Sequence, residues 1–230
     1  MTSPYAAGIE RHPGWSWLDE YLWVTCEIVA DLAEGRLDRR PLIATVARLE
    51  PRERALAVGP ASRWTWRAFG DGSYTHQSVV AFGSPAFVLG SMAGSALGNS
   101  ARRRAAAAAA VPRWVEDGHG EITVTTRKVY FGCPGSALDL EWGGLDTIDL
   151  VAPEVFQTSF RNPYTGLHWT VQLHTPFASL LFVLAAVTAF PAHPRLLEGG
   201  WLPPGFEQRC AEIGRPCRPA HRLLLNRSYE

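Results

Sequence analysis

A chain of 230 residues can build one good core with appendages or two small domains, and 47% hydrophobic with 19% charged residues excludes a disordered chain. Four cysteines are too few for a disulfide scaffold, and no basic-then-apolar secretory signal opens the sequence, so a reducing cytoplasm is the expected compartment. Net charge is zero but uneven: eight arginines face two acids from Arg52 to Arg113, eight acids face two basic residues from Glu116 to Glu154, and neither run has the aromatic-interleaved basic stripe of a nucleic-acid binder.

In chain order, Leu18, Tyr21, Leu22, Val29 and Leu32 recur near every 3.6 residues and predict a helix from Trp17 to Glu34, capped by Ser16 and ended at Gly35. A second short helix is expected from Pro41 to Leu49, with Leu42, Ile43, Val46 and Leu49 on one side. Together they form an N-terminal helical region over residues 1–48. Strand-like text runs from Arg54 through Val58 and resumes from Trp64 to Phe69. Gly72 to Ala101 then holds no Asp, Glu, Lys or Arg, and Ser84-Pro85 followed by alanines to Ala110 predicts a long helix of small residues, an insertion at about 79–111.

After the insertion the period drops to two. Ile122 and Val124 share one parity and Val129 and Phe131 the other, so a β-hairpin turning at Thr126 to Lys128 is predicted. Short strands follow at Leu138 to Trp142, Thr147 to Val151, Val155 to Phe160 and Leu167 to His174. Pro176 to Phe190 reads as a helix apolar on nearly every face, and residues 193–230 as an irregular tail.

The hairpin Ile122-Thr-Val-Thr-Thr-Arg-Lys-Val-Tyr-Phe131, with Thr125 and Arg127 flanking its turn and Trp142 soon after, resembles the bacterial pleckstrin-homology-like or GRAM-like family. Leu49-Glu-Pro-Arg-Glu53 leading into Ala55 to Val58 is similar to that family's approach to its first strand. The stretch Gly98-Asn-Ser-Ala-Arg-Arg-Arg104 with Trp114 is similar to a run in actinobacterial proteins. The resemblance covers residues 49–192 and departs from the family in the insertion between Gly72 and Val115. It implies an α+β fold: a curved antiparallel sheet or partial barrel closed by the helix Pro176 to Phe190. It also implies non-catalytic binding or scaffolding.

Candidate ligand-binding residues are the arginines Arg63, Arg67, Arg102, Arg103 and Arg104, which would suit an anionic lipid or other anion. Gly90, Gly94 and Gly98 are spaced to let another helix or a second copy approach, which points to a protein partner or self-association. The uncharged run from Val79 to Gly98 raises membrane contact as an alternative function; its dilution by Ser, Gly and Pro85 favours a water-borne helix that touches a membrane peripherally at most.

No metal or organic cofactor is expected. Cys210, Cys217 and His221 have the spacing C-x6-C-x3-H without a fourth ligand, and His168 and His174 are too far apart along one strand to share an ion. An enzyme of unknown class is the second alternative function, with Asp139, Glu141 and Glu121, and the pair Cys133 and His119, as its candidate side chains; strand alternation and turn structure account for them without chemistry.

Overall fold

The computed structural model describes residues 14–69, 103–162 and 165–227. The chain divides into two compact units, one made of residues 1–64 and 116–230 and the other of residues 65–115. The architecture is α+β, with a seven-stranded antiparallel open sheet.

Helix α1 (Trp17–Ala33) begins where the sequence predicts, on a reciprocal cap: the Ser16 hydroxyl accepts the Asp19 amide at 3.1 Å and Asp19 Oδ2 accepts the Ser16 amide at 2.8 Å. Its buried residues include Leu22, Cys26, Ile28 and Val29. The expected helix from Pro41 to Leu49 is absent. Only a 3-10 turn forms (Leu37–Arg39), and the chain beyond it is extended. Partners distant in sequence hold this segment: the Arg54 guanidinium takes the carbonyls of Asp38 and Arg40, and the Thr45 hydroxyl bonds Thr123 at 2.5 Å as well as the Ala47 amide at 3.0 Å. Leu42 and Val46, the apolar pair that mimicked a helix face, point into solvent.

The sheet follows as β1 (Ala55–Arg67), β2 (Arg113–Thr125), β3 (Lys128–Gly132), β4 (Leu138–Glu141), β5 (Leu145–Ala152), β6 (Val155–Arg161) and β7 (His168–His174), in spatial order β4-β3-β2-β1-β7-β6-β5. The two strand segments expected before and after Pro60 are one strand. Proline lacks only an N–H and fits extended φ, while Gly59 beside it leaves room for Phe177: a Cβ there would lie 2.9 Å from that ring. The hairpin has the predicted register, Val124 opposite Val129 and Ile122 opposite Phe131, and all four side chains are buried. Trp142 is fully buried in a 3-10 turn after β4 and donates its indole N–H to the Thr125 carbonyl at 3.2 Å.

Helix α2 (Ala178–Ala189) is the apolar helix read from the sequence; Ala178 through Ala186 are all buried, and it packs on β5, β6, α1 and the 3-10 turn at Trp142. The tail expected to be irregular instead forms α3 (Pro194–Leu197), α4 (Phe206–Glu212) and α5 (Ala220–Arg227). Its burial explains the difference, since Trp201, Phe206, Cys210, Ala220 and Leu224 join the core and the Ser179 hydroxyl donates to the Trp201 carbonyl at 2.9 Å.

In the second unit, residues 103–109 are helical, Phe69 donates its amide to the Ala109 carbonyl at 2.9 Å, Trp66 packs edge-on to Trp114 at 5.4 Å and Arg113 lies over the Phe69 ring at 4.6 Å. The rest of the expected helix to Ala110, with the Gly90, Gly94 and Gly98 face and Arg102, lies outside the described residues. Among the described residues no helix is long and apolar enough to cross a membrane.

Candidate functional site

A cleft of about 450 Å³ opens in the first unit, walled by Pro60 to Ser62 of β1, His119 and Gly120 of β2, the β5–β6 turn at Ala152 to Val155, the end of β7 through Pro176, and Trp17 of α1. Its size falls in the range of ligand pockets. Glycine shapes the β2 wall: Gly118 has φ +137°, and a Cβ on Gly120 would fall 2.0 Å from the Gly132 carbonyl oxygen, so only glycine lets β2 approach β3 there. On the α1 side an aromatic stack fixes the wall. Trp17 meets Tyr21 edge-on at 5.9 Å, and Tyr21 meets Phe177 edge-on at 4.8 Å, while Trp17 itself remains 60% exposed.

The polar side chains of the cleft are those of Ser62, His119, Glu154, His174 and Thr175. His174 is half-buried and stacks on Trp64 at 5.4 Å; burial pushes its imidazole below the usual histidine range, so it is neutral at pH 7. The Gln172 amide nitrogen donates to Gln157 Oε1 at 2.9 Å, leaving Gln172 Oε1 to accept from His174 Nε2 at 3.1 Å. That chain assigns the proton to Nε2 and makes Nδ1 an acceptor. The Glu154 carboxylate is half-buried in the turn, and Glu116 Oε1 lies 2.8 Å from His119 Nε2. The Ser62 hydroxyl accepts the Trp64 indole N–H at 3.2 Å. No lysine or arginine lines the cleft.

A second constellation locks the hairpin. Burial alone would raise the Glu53 carboxyl, but it is held below the usual range by the Thr125 hydroxyl at 2.6 Å, the Tyr130 hydroxyl at 2.5 Å and nearby Lys128. Glu53 Oε2 also accepts the Glu50 amide at 3.0 Å. Glu50 in turn holds Lys128 Nζ at 2.6 Å and Arg127 at 2.7 Å, and Arg127 reaches Glu141 at 3.0 Å. The adjoining cavity of about 530 Å³, bordered by Arg48, Glu50, Lys128, Tyr130 and Asp139, includes the Glu50–Lys128 ion pair in its wall.

The predicted arginines do not converge on this cleft. Arg63 is buried, with Nε 3.2 Å from Asp117 Oδ2, Nη1 donating to the Ser136 carbonyl at 3.3 Å and its plane 5.7 Å from the Trp169 ring. Here the basic and acidic runs neutralise each other within the first unit. Arg67, Arg103 and Arg104 are exposed and belong to the second unit.

His168 pairs with Asp146 at 3.1 Å and Arg161 at 3.0 Å. Cys133 donates to the Pro134 carbonyl at 3.8 Å, and among the described residues no bond joins it to His119. Among the described residues no three His, Cys, Asp or Glu side chains have metal-holding geometry. Trp17, Glu154 and His174 escaped the sequence reading as a group because they come from three distant segments, and nothing local in the sequence joins them.

Compared with protein-family profiles, curated proteins and solved structures, the chain finds no match.

Proposed function

We propose that the chain is a non-catalytic binding module of the pleckstrin-homology-like or GRAM-like type, and that its cleft receives a cationic, donor-bearing side chain from a protein partner. Two features support the family reading. The strands run as consecutive meanders on either side of β1, in the order β4-β3-β2-β1-β7-β6-β5, and an apolar helix follows the last strand. The hairpin residues that carry the resemblance, Thr125, Arg127 and Trp142, together with Glu53, are bonded into one lock.

The observation that carries the ligand class is the composition of the cleft: the exposed Trp17 indole, the Glu154 carboxylate and the neutral His174 imidazole, with no lysine or arginine on its walls. A guanidinium or ammonium would gain carboxylate attraction and the Trp17 face together. An anion would meet neither a donor cluster nor a positive field. Calorimetric titration with short glycine peptides bearing one central arginine, lysine or glutamate tests this. Arginine and lysine peptides should bind and the glutamate peptide should not, and Glu154→Gln or Trp17→Ala should weaken binding by about tenfold, the worth of one such contact. Equal binding of all three peptides, or binding only to anionic lipid vesicles, would refute the ligand class.

A further inference from the structure

Three of the four cysteines meet where the C-terminal segment crosses α1. Cys26, in the middle of α1, and Cys210, on α4, are fully buried; Cys217, in the connection from α4 to α5, is half-buried. Hydrogen bonds independent of sulfur fix the crossing. Arg218 places its backbone amide 3.3 Å and its Nε 3.0 Å from the Glu27 carboxylate, and its Nη2 2.7 Å from the Glu27 carbonyl, so Cys217 is held beside the residue that follows Cys26. Arg215 grips Glu20 at 2.5 and 3.0 Å, and its amide bonds the Cys210 carbonyl at 2.9 Å, which folds Cys210 back toward Cys217.

Within this crossing the neighbouring thiols of Cys26 and then Cys210 favour the Cys217 thiolate and lower its pKa to about 7, against the opposing effect of burial. The partners move the other way. Cys26 is raised by its bond to Cys217 and by burial, and burial with its bond to Cys217 pushes Cys210 up to about 12. One reactive, partly accessible thiolate therefore sits against two protonated, buried thiols. Cys133 takes no part, since its thiol faces the Pro134 carbonyl.

We propose that Cys217 is a peroxide-oxidised thiol and that Cys26 resolves it, so that oxidation ties the C-terminal segment to α1 through a Cys26–Cys217 disulfide. The Cys217 thiolate attacks one oxygen of hydrogen peroxide: the S–O bond forms, the O–O bond breaks and hydroxide leaves, to be protonated to water. The Cys26 sulfur then attacks the sulfenic sulfur, the S–S bond forms, the S–O bond breaks, and the Cys26 proton leaves with the hydroxyl as a second water. Two thiols lose two electrons and one peroxide gains them.

The test treats the reduced, folded full chain with one equivalent of hydrogen peroxide, alkylates remaining thiols and digests without reductant at glutamates. Cleavage after Glu20, Glu27, Glu207 and Glu212 puts Cys26, Cys210 and Cys217 on separate peptides. The expected product joins the peptides of Cys26 and Cys217, with Cys133 and Cys210 alkylated. Oxidation should raise the melting temperature by roughly 5–10 °C, since the link closes a very long loop. Cys26→Ser should leave a sulfenic acid on Cys217 that dimedone captures, and Cys210→Ser should leave the cross-link intact. Retention of four alkylatable thiols in the wild type, or a Cys210–Cys217 link in place of the expected one, would overturn the proposal whatever the variants do.

Discussion

Glu53 shows how much one carboxylate can organise. It accepts from two hydroxyls and one backbone amide across 72 residues or more for the side-chain partners, pinning the segment before β1 to the β2–β3 turn. Replacing it with alanine removes the acceptor shared by the Thr125 and Tyr130 hydroxyls, leaving Thr125 to donate to the Lys128 carbonyl at 2.9 Å, and should lower unfolding free energy by about 1–2 kcal/mol, with Tyr130→Phe costing about 1 kcal/mol, as urea denaturation would measure. Gly120 is equally constrained by a different cause: the carbonyl that a Cβ would strike belongs to backbone and cannot swing aside, so Gly120→Ala should break the start of the β2–β3 ladder and unfold the protein at or below 37 °C in circular dichroism.

Two histidines set the response to acid. Burial depresses His174 and His221, so the unfolded chain binds protons at a pH where the folded one does not. Stability is therefore full above the ordinary histidine value of about 6.5 and is lost as pH falls through the lowered folded values. Asp31 and Glu53, both held below the carboxylate range, withdraw their contribution at still lower pH. The melting temperature should fall between pH 7 and 5, and His174→Gln should flatten the upper part of that fall. A flat profile in the wild type would contradict the burial of both imidazoles.

Among the elements, α2 has no polar face to lose, and its buried run makes it the most sensitive to charge. Leu180→Asp or Leu184→Asp buries a carboxylate with no partner and should destabilise the fold by more than about 4 kcal/mol, to the point that no cooperative melting transition remains. Elements with strong local pattern were legible in the sequence for this reason: the parity switch between Val124 and Val129 can only be a hairpin, and α2 is too apolar to lie anywhere but inside. Elements governed by distant partners were not. Leu42 and Val46 carry a helical spacing, yet two carbonyls nearby are claimed by Arg54, and α3 to α5 hide in a proline-rich stretch whose buried residues, from Leu196 to Leu224, are too sparse to show a period. Gly59 and Pro60 are residues that usually end strands, yet β1 runs through them, with Phe177 packed so close to Gly59 that a Cβ would not fit, an approach the sequence does not display.

At the scale of the whole molecule, the candidate cleft forms where separate segments meet. The β4-β3-β2-β1-β7-β6-β5 order brings the middle of β1 and the ends of β5 and β7 to one rim, and α1 adds Trp17 to it. None of these residues carries a motif, which is why the sequence pointed to arginines instead; the one described arginine of that set in the first unit, Arg63, is committed to Asp117 and the Ser136 carbonyl. The proposed cleft for a cationic side chain is tested most directly by nuclear magnetic resonance of the nitrogen-labelled chain titrated with N-acetyl-arginine methylamide. Saturable shifts should concentrate on the amides of Ala61, Ser62, Gly120, Glu154 and Thr175 and need about tenfold more ligand in Glu154→Gln. Shifts that avoid these residues, or that persist unchanged in Glu154→Gln, would contradict it.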